Sequence, residues 1–400
     1  MPRSDTLTSE QSVGISRLSV GSEPGKSVRS GQVTENSARS AHPYRGLPDR
    51  QFWKKDPGVA KPALFDPIGD VSFRIGAHEE VVTAGSCFAQ HVARTLTESG
   101  FNHLVTETAH PMIDPEMARD HNYGLFSARY GNVYTARQLK QLLLRAYGEF
   151  VPLVNVWQGA GGEGVVDPFR PQIQPGGFRS AAELEADRRQ HFAAVRRAVE
   201  GMKVFVFTLG LTEAWNDRRD GAVYPLAPGV AGGAWDRENV EFRNFDASET
   251  IEDLMFALHY IRARNPDVKI LVTVSPVPLN ATYCDRHVMV STAYSKAVLR
   301  IAAEHARAHM EMCDYFPSYE IITSPQTRSR YFGPDAREVT EEGVDHVMRL
   351  FLRHYGENVS TNAQDARSTP RHDARAEAAA HVAEMEEVAK VLCDEEAISN

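Results

Sequence analysis

The residue types best suited to chemistry stand together in Gly85-Ser86-Cys87-Phe88-Ala89. This pentapeptide follows a short β-branched run, 81–84, and opens a helical pattern over 89–99 that Gly100 ends. A nucleophile on a tight strand-to-helix turn is held at a sheet edge, with backbone N–H groups pointing at whatever it attacks. A thiol at a helix N-terminus also has a lowered pKa, which raises its reactive thiolate fraction. The same residues equally describe a Gly-Ser turn carrying a small buried cysteine. On these five residues alone the two readings balance.

Three other segments carry candidate chemistry. Thr208-Leu209-Gly210-Leu211-Thr212-Glu213-Ala214-Trp215 follows an apolar run. There Gly210 allows close backbone approach and Thr212 is a hydroxyl donor for a developing oxyanion. Glu213 and Trp215 suit sugar hydroxyls and faces. Tyr130-Gly131-Asn132-Val133-Tyr134-Thr135 precedes a capped helix, and the Gly131 N–H and the Asn132 side chain are further oxyanion donors. Tyr331 to Thr340 contains Asp335 and Glu338 before a last helix. Each of these three, taken alone, reads more simply as strand-exit, Asx-turn or helix-entry structure.

The elements that must position these residues alternate. Strands are expected at 81–84, 101–106, 204–208, 270–274 and 311–315. Helices are expected at 89–99, 181–200, 248–264 and 291–308, at 135–147 with a Thr135/Gln138 capping box, and at 340–355 with Thr340 as cap. Continuous apolar runs such as 204–208 suit a parallel sheet buried on both faces. The expected fold is α/β: a doubly wound, flavodoxin-like, five-stranded parallel sheet with helices on both faces. Ligands in such sheets bind beyond the carboxyl ends of the strands, where the turns 85–89, 210–215 and 275–278 fall. Segments 155–180 and 217–247 read as insertions.

The chain has 400 residues, 42% of them hydrophobic, and a formal net charge of -9. That suits a large core and argues against a nucleic-acid footprint. Four scattered cysteines, with no C-x-x-C pair, argue against zinc or a disulfide framework. No metal or other cofactor is expected. The N-terminus has no apolar run, so no signal peptide or membrane span is expected and the location reads as cytoplasmic. The expected divisions are a disordered tail over 1–42, an α/β domain over 43–357, and a polar linker with an amphipathic C-terminal helix over 358–400. Val382, Met385, Val388 and Leu392 form the apolar stripe of that helix, which suits self-association or packing back on the domain.

Taken in order, these motifs resemble the GSCFA-domain family, which groups with the SGNH (GDSL-like) hydrolases. The namesake pentapeptide stands at 85–89, with GNVYT at 131–135, TLGLTEAW at 208–215 and VSPVPL at 274–279. The resemblance spans roughly residues 43–355. It implies a nucleophile in the first block, with Cys87 rather than Ser86 in the nucleophile register, and Gly131 as the second-block glycine. It also sets Gly210-x-Thr212 where G-x-N is expected. Asp335 matches the acid of the last block, but Glu338 stands where a histidine is expected. A serine nucleophile without its histidine loses most of its activation. Other bases are open: His91, one helical turn past Cys87, and then His346, His110 and His121. A thiol needs less help than a hydroxyl.

The leading expectation is acyl-ester transfer or hydrolysis through Cys87 or Ser86. Gly85, Phe88, Gly131, Asn132, Gly210 and Thr212 would form the oxyanion and substrate site, with His91, or Glu338 with Asp335, moving the proton. By analogy the substrate is a small-molecule or carbohydrate ester, such as a polysaccharide precursor, with acyl-CoA as an alternative donor. The competing expectation is a non-catalytic carbohydrate- or partner-binding protein on a decayed SGNH scaffold.

Overall fold

Strands buried on both faces lose the polar alternation of surface strands, and here the continuous apolar runs form the middle of the molecule. The computed structural model describes residues 42–357 and 394–398. The chain divides into a unit Met1–Leu47 and a unit Pro48–Asn400, and the second carries every element below.

Its strands are β1 Val81–Gly85, β2 Trp157–Gln158, β3 Val165–Val166, β4 Val204–Leu209, β5 Glu213–Asp217, β6 Val223–Tyr224, β7 Val240–Asn244, β8 Lys269–Val274 and β9 Cys313–Phe316. Its α-helices are α1 Pro57–Ala60, α2 Phe88–Glu98, α3 Pro115–Asp120, α4 Ala136–Ala146, α5 Ala181–Gly201, α6 Ala247–Arg264, α7 Val288–His309, α8 Ser318–Thr323 and α9 Glu341–Tyr355. The expected capping box is present: the Thr135 hydroxyl accepts from Gln138 N, and Gln138 returns the bond to the cap backbone. Such a cap contributes about 1 kcal/mol.

The central sheet is parallel, in the order β1-β4-β8-β9. Gly85 stands opposite Thr208, Thr208 opposite Thr273, and Thr273 opposite Phe316, so the carboxyl ends of the strands align. Alternate strand residues face opposite layers. Val82, Phe205, Phe207, Ile270 and Val272 pack with Leu139, Val195, Leu258 and Leu299 of α4 to α7. Val81, Val206, Leu271 and Phe316 pack with Val92, Leu96, Val347 and Phe351 of α2 and α9. Helices therefore cover both faces.

Among the described residues the sheet has four strands, not the expected five. The backbone of segment 101–106 pairs with β1 at a bridge between Val81 and His103, through Val81 N to Asn102 O at 2.9 Å and Leu104 N to Val81 O at 2.9 Å, and the His103 ring bonds Thr83 Oγ1 at 3.2 Å. Beyond Val81 the β1 edge is already taken. Thr83 N donates to Ser127 Oγ at 3.1 Å, and the Tyr130 hydroxyl donates to Thr83 O. Thr106 then turns away to bond Ser127 O at 2.7 Å.

The segments read as insertions contain strands of their own. The β2–β3 ribbon lies within 155–180, and β6 and β7 flank β5 in a three-stranded antiparallel sheet. The apolar stripe over 382–392 lies outside the described residues. No helix among the described residues is long and apolar enough to cross a membrane.

Candidate functional site

The turn after β1 is set by two glycines. Gly85 has φ +137°, and a Cβ there would lie 2.2 Å from Thr208 O, so only glycine lets β1 and β4 close at this level. Ser86 N donates to that same Thr208 O at 3.0 Å. After β4, a Cβ on Gly210 would lie 2.9 Å from Ser86 Cβ and 3.1 Å from Tyr134 Cδ1. The Gly210 N–H donates to Tyr134 O at 2.9 Å. The two glycines thus clasp Ser86, Cys87 and the Tyr134 loop into one pocket at the strand carboxyl ends.

Cys87 caps α2 in helical conformation and is 6% exposed. The pocket is lined by Ser86, Cys87, Tyr134, Gly210, Leu211, Ser275, Val277, Pro278, Leu279 and Glu395. Its remaining free volume is about 10 Å³, at most one water. Ser86 Oγ is buried with no hydrogen-bond partner among the described residues.

Three further side chains complete the site. Gln90 Nε2, on α2, donates to Asn132 Oδ1 at 3.2 Å, and Asn132 Nδ2 donates to the Asp394 carboxylate at 3.0 Å. Donor meets acceptor at both ends, which fixes the Asn132 amide with its NH₂ facing Asp394. Lys296 of α7 is 2% exposed and donates to Gly210 O at 2.7 Å. Burial pulls its ammonium from its ordinary 10.5 down to about 8, with Glu395 and Cys87 pulling upward and Arg337 downward. Arg337 pairs with Glu395 at 3.2 Å.

The residues singled out from sequence distribute unevenly. Ser86, Cys87 and Gly210 come together in one pocket, and Gly131 at φ +70° turns the chain into Asn132, whose amide is tied to Gln90 of α2 and to Asp394. The Phe88 side chain points into the core with Val92 and Leu96. His91 makes no hydrogen bond among the described residues. Its ring lies 5.4 Å from that of Phe88, and burial, with Arg94, lowers it to about 4, leaving it neutral at pH 7. Thr212 N bonds Ser295 Oγ, and its hydroxyl donates to Asn244 Oδ1 at 2.7 Å, so that hydroxyl is already committed. Glu213 accepts from Thr282 Oγ1 at 2.7 Å and from Tyr283 N at 3.3 Å, tying down the 280–284 loop. Trp215 packs edge-on against Trp235, Phe242 and Tyr283.

Asp335 is exposed and accepts from Arg337 N at 3.1 Å and Glu338 N at 3.0 Å, an Asx turn. Glu338 is also exposed. The side chain of that loop which reaches the site is Arg337. His346 is buried against the Tyr331 hydroxyl at 2.6 Å. Among the described residues no group of three His, Cys, Asp or Glu side chains could hold a metal ion.

Lys296 and Gln90 were not candidates from sequence. Lys296 does leave a signal: with Leu299 and Ala303 it lies on one stripe of α7, where a cation is out of place. Comparison with curated proteins returned no match. Residues 80–351, which hold the whole turn-and-pocket arrangement except the 394–398 segment, match the GSCFA family, and the chain belongs to that family.

Proposed function

We propose that this chain is an acyl-transfer enzyme of SGNH-like design, with Cys87 as nucleophile and a doubly wound core behind it. The observation that carries this is the company Cys87 keeps. It sits at the N-terminus of α2, the helix whose Gln90 holds the Asn132 amide, and a buried lysine close enough to feel its charge stands behind the pocket. A lysine near 8 is roughly one-tenth neutral at pH 7, enough to take a thiol proton. Cys87 Sγ bonds to the acyl carbon of an ester or thioester while Lys296 receives the thiol proton. The oxyanion is held by Asn132 Nδ2 and the α2 N-terminus. The bond to the leaving group breaks and the proton passes to it from Lys296. The oxygen of water or of a sugar hydroxyl then bonds to the acyl carbon as neutral Lys296 takes its proton, the C–S bond breaks, and the proton returns to the sulfur. Lys296, rather than His91 or Glu338 with Asp335, takes the base role in this reading.

The test is turnover of p-nitrophenyl acetate, and of acetyl-CoA with sugar acceptors, by Cys87→Ala and Ser86→Ala. Loss in the first variant and retention in the second is expected. Full activity in both removes the reading. A carbohydrate or polysaccharide-precursor acceptor is proposed by analogy with the fold class.

One observation favours a second reading, a non-catalytic binding protein on the same scaffold: the chain's own Glu395 lines the pocket. That reading expects Cys87 to react with iodoacetamide no faster than in the denatured chain once the pocket is emptied.

A further inference from the structure

A carboxylate is buried at a cost of several kcal/mol unless cations and donors meet it. Two are buried here, Asp394 and Glu395, at 5% and 8% exposure. The groups that meet them belong to the site. Asp394 accepts from Asn132 Nδ2 at 3.0 Å and from the Tyr134 hydroxyl at 3.4 Å, and its N–H donates back to Tyr134 at 3.1 Å. The Glu395 carboxylate takes Arg337, and its main-chain carbonyl takes Asn280 Nδ2 at 2.7 Å. Lys296 lies within electrostatic reach of Glu395. The same amide that would hold an oxyanion therefore holds a carboxylate oxygen, and Glu395 lines the pocket over Cys87.

Without a carboxylate in the pocket, Lys296 would be a buried cation facing Arg337 with no fixed counter-charge. Its stripe neighbours on α7 are Leu299 and Ala303, and its ammonium donates to Gly210 O at 2.7 Å. Two cations at one site select ligands by charge.

We propose that the pocket over Cys87 is built for an acidic ligand, one presenting a carboxylate to Arg337 and Lys296, and that the chain's own Asp394–Glu395 occupies that place as an intramolecular competitor. Calling the ligand a substrate rests on the acyl-transfer reading; the carboxylate site itself does not. On this proposal the segment gives up Arg337 and Asn132 when an acidic ligand takes its place.

The experiment compares alkylation of Cys87 by iodoacetate, which carries a carboxylate, and by iodoacetamide, which does not. It uses the full chain and its Asp394→Ala/Glu395→Ala variant. The double variant is expected to react roughly tenfold faster with both reagents, as an occupied pocket opens, with iodoacetate gaining more. Glutarate is expected to protect the double variant. Adding Arg337→Ala is expected to remove both the protection and the preference for iodoacetate. Unchanged rates in the double variant overturn the proposal. So do equal gains for both reagents without glutarate protection. Should the double variant fold poorly by circular dichroism, Glu395→Gln keeps the shape and removes one charge, and the same order of rates is expected of it. Alkylation needs no turnover. If these effects appear and no ester is consumed, the carboxylate site stands and the acyl-transfer reading falls. If Cys87 turns over esters while labelling ignores the segment, the reverse holds.

Discussion

Replacing Lys296 by methionine separates stability from chemistry at this site. The side chains are similar in length, so the perturbation is the charge and one hydrogen bond. A pKa drawn from 10.5 to about 8 means that holding the proton in the folded protein costs about 3 kcal/mol at neutral pH. Methionine removes that cost but leaves Gly210 O without its donor, a loss of about 1–2 kcal/mol. The net expectation is a variant about 1–2 kcal/mol more stable at pH 7, in line with the gain often seen when buried charges become apolar. The pH dependence fixes the cause. Because the folded-state pKa is depressed, the unfolded chain binds more protons between 8 and 10.5, and wild-type stability rises with pH through that window. Urea unfolding at pH 7 and pH 9 is expected to show the wild type gaining about 1 kcal/mol that the variant does not gain. Over the same change, iodoacetamide labelling of Cys87 at pH 7 is expected to slow roughly tenfold, since the thiolate loses a buried cation within electrostatic reach. A variant less stable than wild type at pH 7, or a stability gap indifferent to pH, refutes the charge argument. Unchanged labelling refutes the assignment of Lys296 to Cys87.

Gly210→Ala brings a methyl within 2.9 Å of Ser86 Cβ and 3.1 Å of Tyr134 Cδ1; a loss of about 1–3 kcal/mol is expected in urea unfolding, together with slower Cys87 chemistry. Asn132→Ala is expected to lower kcat on p-nitrophenyl acetate roughly 100-fold with KM little changed, the behaviour of an oxyanion donor. Gln90→Glu cannot donate to Asn132 Oδ1, so kcat is expected to fall roughly tenfold while the chain stays folded; an unchanged kcat removes Gln90 as the residue that positions the amide.

Much of the scaffold was legible because its signals are local. The β-branched run before Gly85, the capping box at Thr135 and Gln138, and the apolar stretches of β4 and β8 each report their own conformation. The fifth strand failed for a reason local pattern cannot carry: Ser127 and Tyr130, distant in sequence, occupy the β1 edge. The Thr212 hydroxyl looked available until Asn244, on a strand inside a segment read as an insertion, captured it. Lys296 was readable in principle as a cation on an apolar stripe. Lysines on helices usually reach for water, however, and only the packing of α7 against the Gly210 turn keeps this one buried. The engagement of Asn132 by Asp394 joins residues 262 apart, and no periodicity or motif encodes such a meeting.

The central claim is that Cys87 Sγ becomes acylated. Mixing the Asp394→Ala/Glu395→Ala variant with p-nitrophenyl acetate at pH 7, quenching in acid and mapping peptides by mass reads this directly. One acetyl group on the peptide at Cys87, lost on hydroxylamine treatment, absent in Cys87→Ala and retained in Ser86→Ala, is the expected result. An acetyl group on Ser86, or none on either residue while the ester is consumed, contradicts the account.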